Sequence, residues 1–378
     1  MPKKLRVGVI FGGRSGEHEV SIRSARAVIE SIDRKKYDVL PVAISKEGKW
    51  LPPAEAAKLL PPGTSSALPP NFDNAGKGDI AILGDPSHQG LISLSTNRGP
   101  IASEQLDVVF PVLHGPFGED GTVQGLLEMA NVPYVGCGVL ASACGMDKVA
   151  MKLLFRQAGL PVGDYIWFLR SQWQSDPASV TRRVTREIKF PCFVKPANLG
   201  SSVGVSKATN KTELAESVNL AARYDRKIIV EAAVDGREIE CAVIGNDNPQ
   251  ASLPGEYVVY DEAARFLDYN EKYADTGHVK FVVPAPLPKA MIGKIQRMAI
   301  EVFKSVDGAG LARVDFFLMR DSKRLLVNEL NTMPGLTEVS GYPKMWEASG
   351  MPFVQVIDRL IELAFERHKD KSLNKTSL

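Results

Sequence analysis

Short, nearly continuous apolar runs recur along this chain, and most of them end in a glycine or a polar turn. Residues 5–11 (LRVGVIF) form such a run, with the length and pattern of a strand covered on both faces. Residues 20–31 (VSIRSARAVIES) instead space apolar side chains three and four apart, as one face of a helix requires. A second strand follows at 39–44, so the chain opens as β-α-β. The core pattern returns at 106–113 (LDVVFPVL) and passes through a glycine loop into another helix. A helix is predicted over 146–158, stopped by Gly159 and Pro161. Further on, the pattern predicts a strand at 190–195, a helix at 214–224, strands at 227–231 and 238–244, and a long loop over 260–279. Helix 288–306 and two strands, 310–319 and 323–331, complete it, with a polar turn at 320–323 that makes the last pair a hairpin.

Strands alternating with helices predict an α/β protein, and 378 residues are too many for one small core. We expect two or three domains, with a boundary near 140–148, and a polar tail that frays. Residues 47–103 break the pattern. They are rich in Pro, Gly and Ser and predict an irregular insertion with short elements, among them a hairpin near 80–94, to which no chemistry is assigned.

Charge narrows the function classes. Lys and Arg total 46 against 44 Asp and Glu, and a net charge of +2 gives no electrostatic case for nucleic acid or an anionic membrane. No apolar run reaches the roughly 18 residues of a membrane span, and MPKKLR leads straight into a strand without a signal-peptide core. The expected location is the cytoplasm. Cys137, Cys144, Cys192 and Cys241 form no CxxC pair, which favours reduced thiols over disulfides or a zinc site.

Four constellations carry candidate chemistry. In LARVDFFLMRDSKRLLVNELNTMPG (311–335), Arg313 and Asp315 share one strand face, as do Glu329 and Asn331. Asp315, Glu329 and Asn331 offer only oxygen donors, which suits Mg²⁺ completed by phosphates, and Arg313 beside them suits a phosphoryl group or an oxyanion. In FVKPANLGSSVGVSK (193–207), Lys195 ends a strand and a Gly-Ser loop offers backbone N–H donors to phosphates; it is no Walker A loop. Lys148 begins a helix, and Glu231 and Glu238 could bond an adenine amine and ribose hydroxyls. In HGPFGEDGTVQG (114–125), His114 follows a strand at the sheet edge where open α/β folds bind ligands. The bland alternatives are a solvated strand face, an ordinary turn, a solvated lysine and a capping histidine.

These pieces, in this order, resemble the D-alanine–D-alanine ligases of the ATP-grasp superfamily. The resemblance rests on FGGRSGEHEVSIRSA (11–25), HGPFGEDGTVQG, GMDK (145–148), VKPANLGSSVGVSK, DYNEKYAD (268–275), LARVDFF and NELNTMPGLTEVSGYPKMW (328–346), and it spans residues 5–362. It implies a three-domain ATP-grasp fold, with an N-terminal Rossmann-like domain at 1–145, a central ATP-grasp subdomain at 146–244, a C-terminal one at 245–366 and a polar tail at 367–378. It implies ATP, two Mg²⁺ or Mn²⁺, an optional monovalent cation, D-alanine as substrate and a homodimer in a bacterial cytoplasm.

By the same resemblance, Lys148, Lys195 and Ser202 attend the ATP phosphates, with Lys272 reaching the transferred one. Glu231 and Glu238 hold adenine and ribose beside the backbone of Ala232 to Val234. Asp315, Glu329 and Asn331 bind the metal ions. Glu17 anchors the ammonium of the first D-alanine and His114 lies near its carboxylate. Arg313 and the Gly335 N–H stabilise the oxyanion, and Ser340 with the N–H of Gly341 receives the second carboxylate. Ser201 and Tyr273 form a network with Glu17, and a tyrosine at 273 fits a dipeptide ligase better than an ester-forming one.

Gly341 departs from the bulky residue common in the family, which predicts a looser second pocket. Rival readings are a nicotinamide dehydrogenase, another ATP-grasp ligase including a D-lactate ligase, and a non-enzymatic nucleotide-binding regulator. Phe11 spoils a GxGxxG fingerprint, and the intact Asp315, Glu329 and Asn331 argue against a regulator.

Overall fold

The computed structural model describes residues 3–70, 72, 79–88, 90–95, 99–259 and 279–375. Strand β1 (Leu5–Gly12) lies between β2 (Tyr37–Ile44) and β7 (Val108–Val112), parallel to both, and β3 (Trp50–Leu51) adds an antiparallel edge to β2. Helix α1 (His18–Ser31) crosses from β1 to β2. Its buried Ile22, Ala25, Val28 and Ile29 pack on Val7, Val9 and Phe11 of β1, so the helical spacing read from the sequence is the core face.

The 47–103 insertion holds helix α2 (Pro53–Leu59) and most of a separate three-stranded antiparallel sheet. That sheet comprises β4 (Asp79–Ile82), β5 (Gly90–Ser95) and β6 (Gly99–Gln105). The expected hairpin is β4–β5; the third strand was not foreseen.

After α3 (Thr122–Met129) and α4 (Val139–Met146), helix α5 (Lys148–Gln157) starts on Asp147. The Asp147 carboxylate accepts from the N–H groups of Val149 and Ala150 at 3.0 and 3.1 Å, capping the helix. The helix predicted over 146–158 is α5, which this cap starts at Lys148; Met146 ends α4.

The second sheet runs β10 (Ser206–Ala208), β9 (Cys192–Pro196), β11 (Lys227–Ala232), β8 (Tyr165–Leu169), all antiparallel. Helices α6 (Arg170–Ser175), α7 (Pro177–Glu187) and α8 (Lys211–Tyr224) accompany it.

The third sheet runs β15 (Val279–Val282), β14 (Gly255–Val259), β12 (Gly236–Gly245), β16 (Gly310–Met319), β17 (Leu325–Asn331), with β13 (Gln250–Ala251) on β12. The expected division at 244/245 would cut β12 from this sheet. β12 pairs with β16 along its whole length, Gly236 opposite Met319 to Gly245 opposite Gly310, so the sheet changes between Ala232 and Gly236.

Period-two alternation orients the third sheet. Ile239, Cys241, Val243, Val314, Phe316 and Leu318 enter one core with α5 and α9 (Lys289–Ser305). The intervening Glu238, Glu240, Arg313 and Asp315 face the other way. The chain ends with α10 (Gly341–Ala348) and α11 (Phe353–Lys371). Val356, Ile357, Leu360 and Ile361 of α11 join the core of the first sheet, and Lys36 Nζ meets Asp358 at 2.7 Å. Among the described residues, no helix is long and apolar enough to cross a membrane.

Candidate active site

A cleft of about 240 Å³ opens between the second and third sheets, lined by Lys148, Lys195, Ser202, Glu231, Val234 and Glu238 among others. Ala232, Glu329 and Asn331 also line it. The predicted nucleotide residues that are described thus share one space.

Lys195 and Glu231 lie on neighbouring strands, with Lys195 opposite Ile229, so both project from the same sheet face. Lys195 Nζ meets Glu231 Oε2 at 2.6 Å, and Lys152 Nζ meets Oε1 at 2.8 Å. Burial would raise the Glu231 carboxyl, but the two ammonium groups outweigh it and hold the group well below the usual carboxylate range. Burial pulls Lys195 down, yet Glu231 and Glu329 outweigh that, and its pKa is raised. Lys148 donates to the Leu199 carbonyl at 2.7 Å, and burial lowers its pKa.

Lys152, buried and also donating to the Asn328 carbonyl at 2.8 Å, was not among the predicted residues. Its signal was available, since it stands four residues after Lys148 on the same helical face.

On the third sheet, Arg313 donates through Nε and Nη2 to the two oxygens of Asp315, both at 2.7 Å, and its Nε lies 3.2 Å from Glu240 Oε1. Asn331 Nδ2 donates to Asp315 Oδ2 at 3.1 Å. Strand register explains the grouping: Asp315 stands opposite both Glu240 and Glu329, and Arg313 opposite Asn331. Glu240, nearly fully buried, is a second residue the sequence reading passed over, although it sits two positions from Glu238 on the same face.

Among the described residues, no group of three or more His, Cys, Asp or Glu side chains gathers as a metal cage. Asp315, Glu329 and Asn331 instead provide two carboxylates and an amide oxygen beside a lysine-lined cleft. Such a set fits Mg²⁺ when phosphate oxygens complete its coordination.

A smaller cavity of about 100 Å³ adjoins the cleft, lined by Glu17, His114, Glu119, Arg313 and Gly335 among others. Glu17 is the N-cap residue of α1, but its side chain makes no capping bond. It accepts instead from the Ser201 hydroxyl, joining the first domain's loop to the Gly-Ser loop. Ser201 and Ser202 hold positive φ, 52° and 57°, a left-handed conformation that non-glycine residues take only when the surroundings enforce it. The loop is thus set to present its hydroxyl to Glu17.

His18 and Glu19, beside Glu17, do not join the site. His18 Nδ1 lies 2.8 Å from the Gly13 carbonyl, and exposed Glu19 meets Lys46 at 2.9 Å. His114 is buried, with Nδ1 3.1 Å from the Met333 carbonyl and Nε2 3.2 Å from Ser24 Oγ; burial lowers its pKa, so it is neutral. Both its ring nitrogens are taken, and it ties the first sheet to the 333–336 segment.

Ser340 is the N-cap of α10, and its Oγ lies 2.7 Å from Thr337 Oγ1. A Cβ on Gly341 would meet Glu240 at 2.6 Å and Phe281 at 2.9 Å. The expected looser pocket is therefore not found: Phe281 fills the space beside this glycine. Lys272, Tyr273 and most of the predicted long loop lie outside the described residues.

Three main sheets beside the small β4–β5–β6 sheet, with a lysine-lined cleft between the second and third, are the architecture of an ATP-grasp protein. The D-ala D-ala ligase N-terminus family matches residues 6–137, and the D-ala D-ala ligase C-terminus family matches 154–362. The chain belongs to the D-ala D-ala ligase family, which sets the dehydrogenase alternative aside.

A D-alanine–D-alanine ligase of Natranaerobius thermophilus is 45% identical, covering 99% of this chain and 98% of its own. One of Heliobacterium modesticaldum is 46% identical at 99% and 98% coverage. Among solved structures, the D-alanine–D-alanine ligase of Coxiella burnetii superposes with a TM-score of 0.79 at 36% identity, covering 98% of this chain and 96% of its own. A D-Ala:D-Ser ligase of Enterococcus faecalis gives 0.80 at 34%, covering 96% and 100%.

Proposed function

We propose that this protein joins two D-alanines into D-alanyl-D-alanine at the expense of ATP, for bacterial cell-wall precursor synthesis. The observation that carries this reading is the cavity holding Glu17 and Arg313, set directly against the lysine-lined cleft. One space suits a nucleotide and the other a small zwitterion.

The carboxylate of the first D-alanine takes the γ-phosphoryl of ATP, giving D-alanyl phosphate. The amine of the second then attacks the acyl carbon. A C–N bond forms, the C–O bond to phosphate breaks, and phosphate leaves with ADP. Two anions must approach in the first step, and Lys148, Lys195 and Arg313 offset their repulsion. Mg²⁺, held by Asp315, Glu329 and Asn331, would neutralise phosphate charge when bound.

Glu17 pairs with the first ammonium, held in place by Ser201. Neutral His114 supports the segment beside the first carboxylate. Arg313 and the Gly335 N–H face the oxyanion. Ser340 and the Gly341 N–H, at the start of α10, receive the second carboxylate. Glu238, Ala232, Val234 and Ser202 line the nucleotide's path, and Glu231 steadies Lys195 as well as meeting the adenine. Lys272 reaches the transferred phosphate and Tyr273 joins the network of Glu17 and Ser201, as the family resemblance implies. A cytoplasmic homodimer, with a monovalent cation as an accessory, completes the reading.

Product analysis with ATP, Mg²⁺ and D- or L-alanine tests it, with D-serine and D-lactate as competing second substrates. D-alanyl-D-alanine as the main product is expected. Predominant ester with D-lactate, or dipeptide only from L-alanine, refutes it.

A further inference from the structure

We propose that Phe281 sets the size of the second amino-acid subsite, admitting a D-amino acid whose side chain is no larger than a methyl group; this rests on the ligase reading above. Phe281 stands on β15, the edge strand of the third sheet, and strand register carries it to the site. It lies opposite Tyr257 of β14. Gly255, two residues before Tyr257, lies opposite Glu240 of β12, and Glu240 lies opposite Asp315. Residues two apart on a strand, and residues opposite across a ladder, share a face. Phe281, Tyr257, Gly255 and Glu240 therefore lie on the face that carries Arg313.

Two glycines make room for the ring. A Cβ on Gly255 would come within 2.2 Å of Phe281 Cζ, and one on Gly341 within 2.9 Å of the same atom. The ring tip thus occupies the side-chain space of both. Tyr257 braces it, with ring centroids 4.8 Å apart and planes at 54°. Phe281 also packs against the core that β1 shares with α11, yet it is only half-buried. It stands where that core gives way to the charged side chains of the site: along one face of β12, buried Ile244 and Ala242 are followed by Glu240.

Gly341, beside Ser340, is where the second carboxylate is received. The three atoms nearest to a Cβ there are Glu240 Oε2 at 2.6 Å and Phe281 Cζ and Cε1 at 2.9 and 3.1 Å. Glu240 is committed to Arg313, whose Nε lies 3.2 Å away. The aromatic tip is therefore the apolar surface that an amino acid held at Gly341 meets. It offers van der Waals contact to a methyl group and no hydrogen-bond partner. A longer side chain must displace a ring backed by the Gly255 backbone and by Tyr257. In an apolar pocket, each methylene too many costs roughly tenfold or more. The nucleotide cleft and the cavity that holds Glu17 are lined by other residues, so the selection acts on the second amino acid and not on the first.

Competition between D-alanine and D-norvaline tests the proposal, with the full chain, ATP and Mg²⁺, and with the order of residues in each dipeptide read by fragmentation mass spectrometry. The parent should make D-alanyl-D-alanine almost alone. Phe281→Ala removes the ring, and Phe281→Val removes its tip while keeping a strand former and part of the core contact. In both, the ratio of D-alanyl-D-norvaline to D-alanyl-D-alanine should rise at least about tenfold. D-Norvaline should stay out of the first position. The KM for the second D-alanine should rise in both variants, and the KM for the first should stay within about twofold. Phe281→Met, long enough to reach the same space, should hold the ratio within about threefold of the parent.

A residue that only supports the fold would lower turnover and leave that ratio unchanged. Parental selectivity in active Phe281→Ala or Phe281→Val therefore overturns the proposal, as does D-norvaline entering the first position as readily as the second. Selectivity lost equally in Phe281→Met overturns it too, because reach would then not be what excludes the longer side chain. If the parent forms no dipeptide from any D-amino acid, the ligase reading fails and takes this proposal with it. If the parent does form dipeptide and the ratio does not move, Phe281 alone is the part that fails.

Discussion

Glu231 and Glu119 line the same cleft, one on the second sheet and one on a loop that follows the first. Both lose solvation, and burial alone would raise both carboxyls. Their outcomes are opposite. Glu231 meets Lys152 and Lys195 at 2.8 and 2.6 Å and is held ionised. Glu119 accepts from the Gly115 N–H at 2.6 Å and faces Glu17 across that glycine; burial, then Glu17, pushes it up to about 8 against the opposing Arg313. Burial pushes both carboxyls up; at Glu231 the two ammonium groups at ion-pair distance reverse that push, and at Glu119 it prevails. The nucleotide side of the site is built from fixed charges.

Removing a counter-charge should break this contrast with the largest effect on stability. Lys152→Met leaves buried Glu231 with Lys195 alone and the Asn328 carbonyl without its donor. The expected loss is about 3 kcal/mol in urea unfolding at neutral pH. A folded-state pKa below the unfolded one contributes stability that is present above the unfolded value and lost as pH falls. The parent should therefore lose stability as pH falls below about 4.5, and Lys152→Met should show a shallower loss. A variant within about 1 kcal/mol of the parent would show that Lys195 suffices.

The Glu119 side gives the opposite slope. Its raised pKa means the folded state keeps a proton that the unfolded chain has released between about pH 4.5 and 8. Stability from this group falls as pH rises through that window. At roughly 1.4 kcal/mol per pKa unit, E119Q should gain on the parent across it by up to about 5 kcal/mol in unfolding free energy, measured without substrates. A constant difference would mean that Glu119 is ionised in both states.

Much of this site was legible in the sequence because strand geometry is periodic. Arg313, Asp315, Glu329 and Asn331 converge as period two requires, and glycines marked the loops at 12–16, 114–121 and 200–204. The same periodicities pointed to Lys152 and Glu240, four and two residues from positions already chosen. Glu119 had no such signal. Its importance comes from a neighbour about 100 residues away in sequence, across Gly115. The change of sheet before β12 was equally hidden, because an alternating strand reads the same in either sheet. Likewise α11 declares an apolar face but not that the first sheet covers it.

The opening loop offers the smallest test and a close control. Glu17 and Glu19 are two residues apart on the same turn, yet only Glu17 faces the cavity, while Glu19 is exposed beside Lys46 at 2.9 Å. The Lys46 hydrogen bond lowers the Glu19 pKa, but an exposed pair is screened by water and salt. Glu19→Gln should change unfolding stability by less than about 0.5 kcal/mol and leave ligation within roughly twofold. A larger effect would mean that charge in this loop acts at a distance, which would undo the claim that direct partners set the state of each carboxyl. A null result would confine the loop's chemistry to the residue that Ser201 holds.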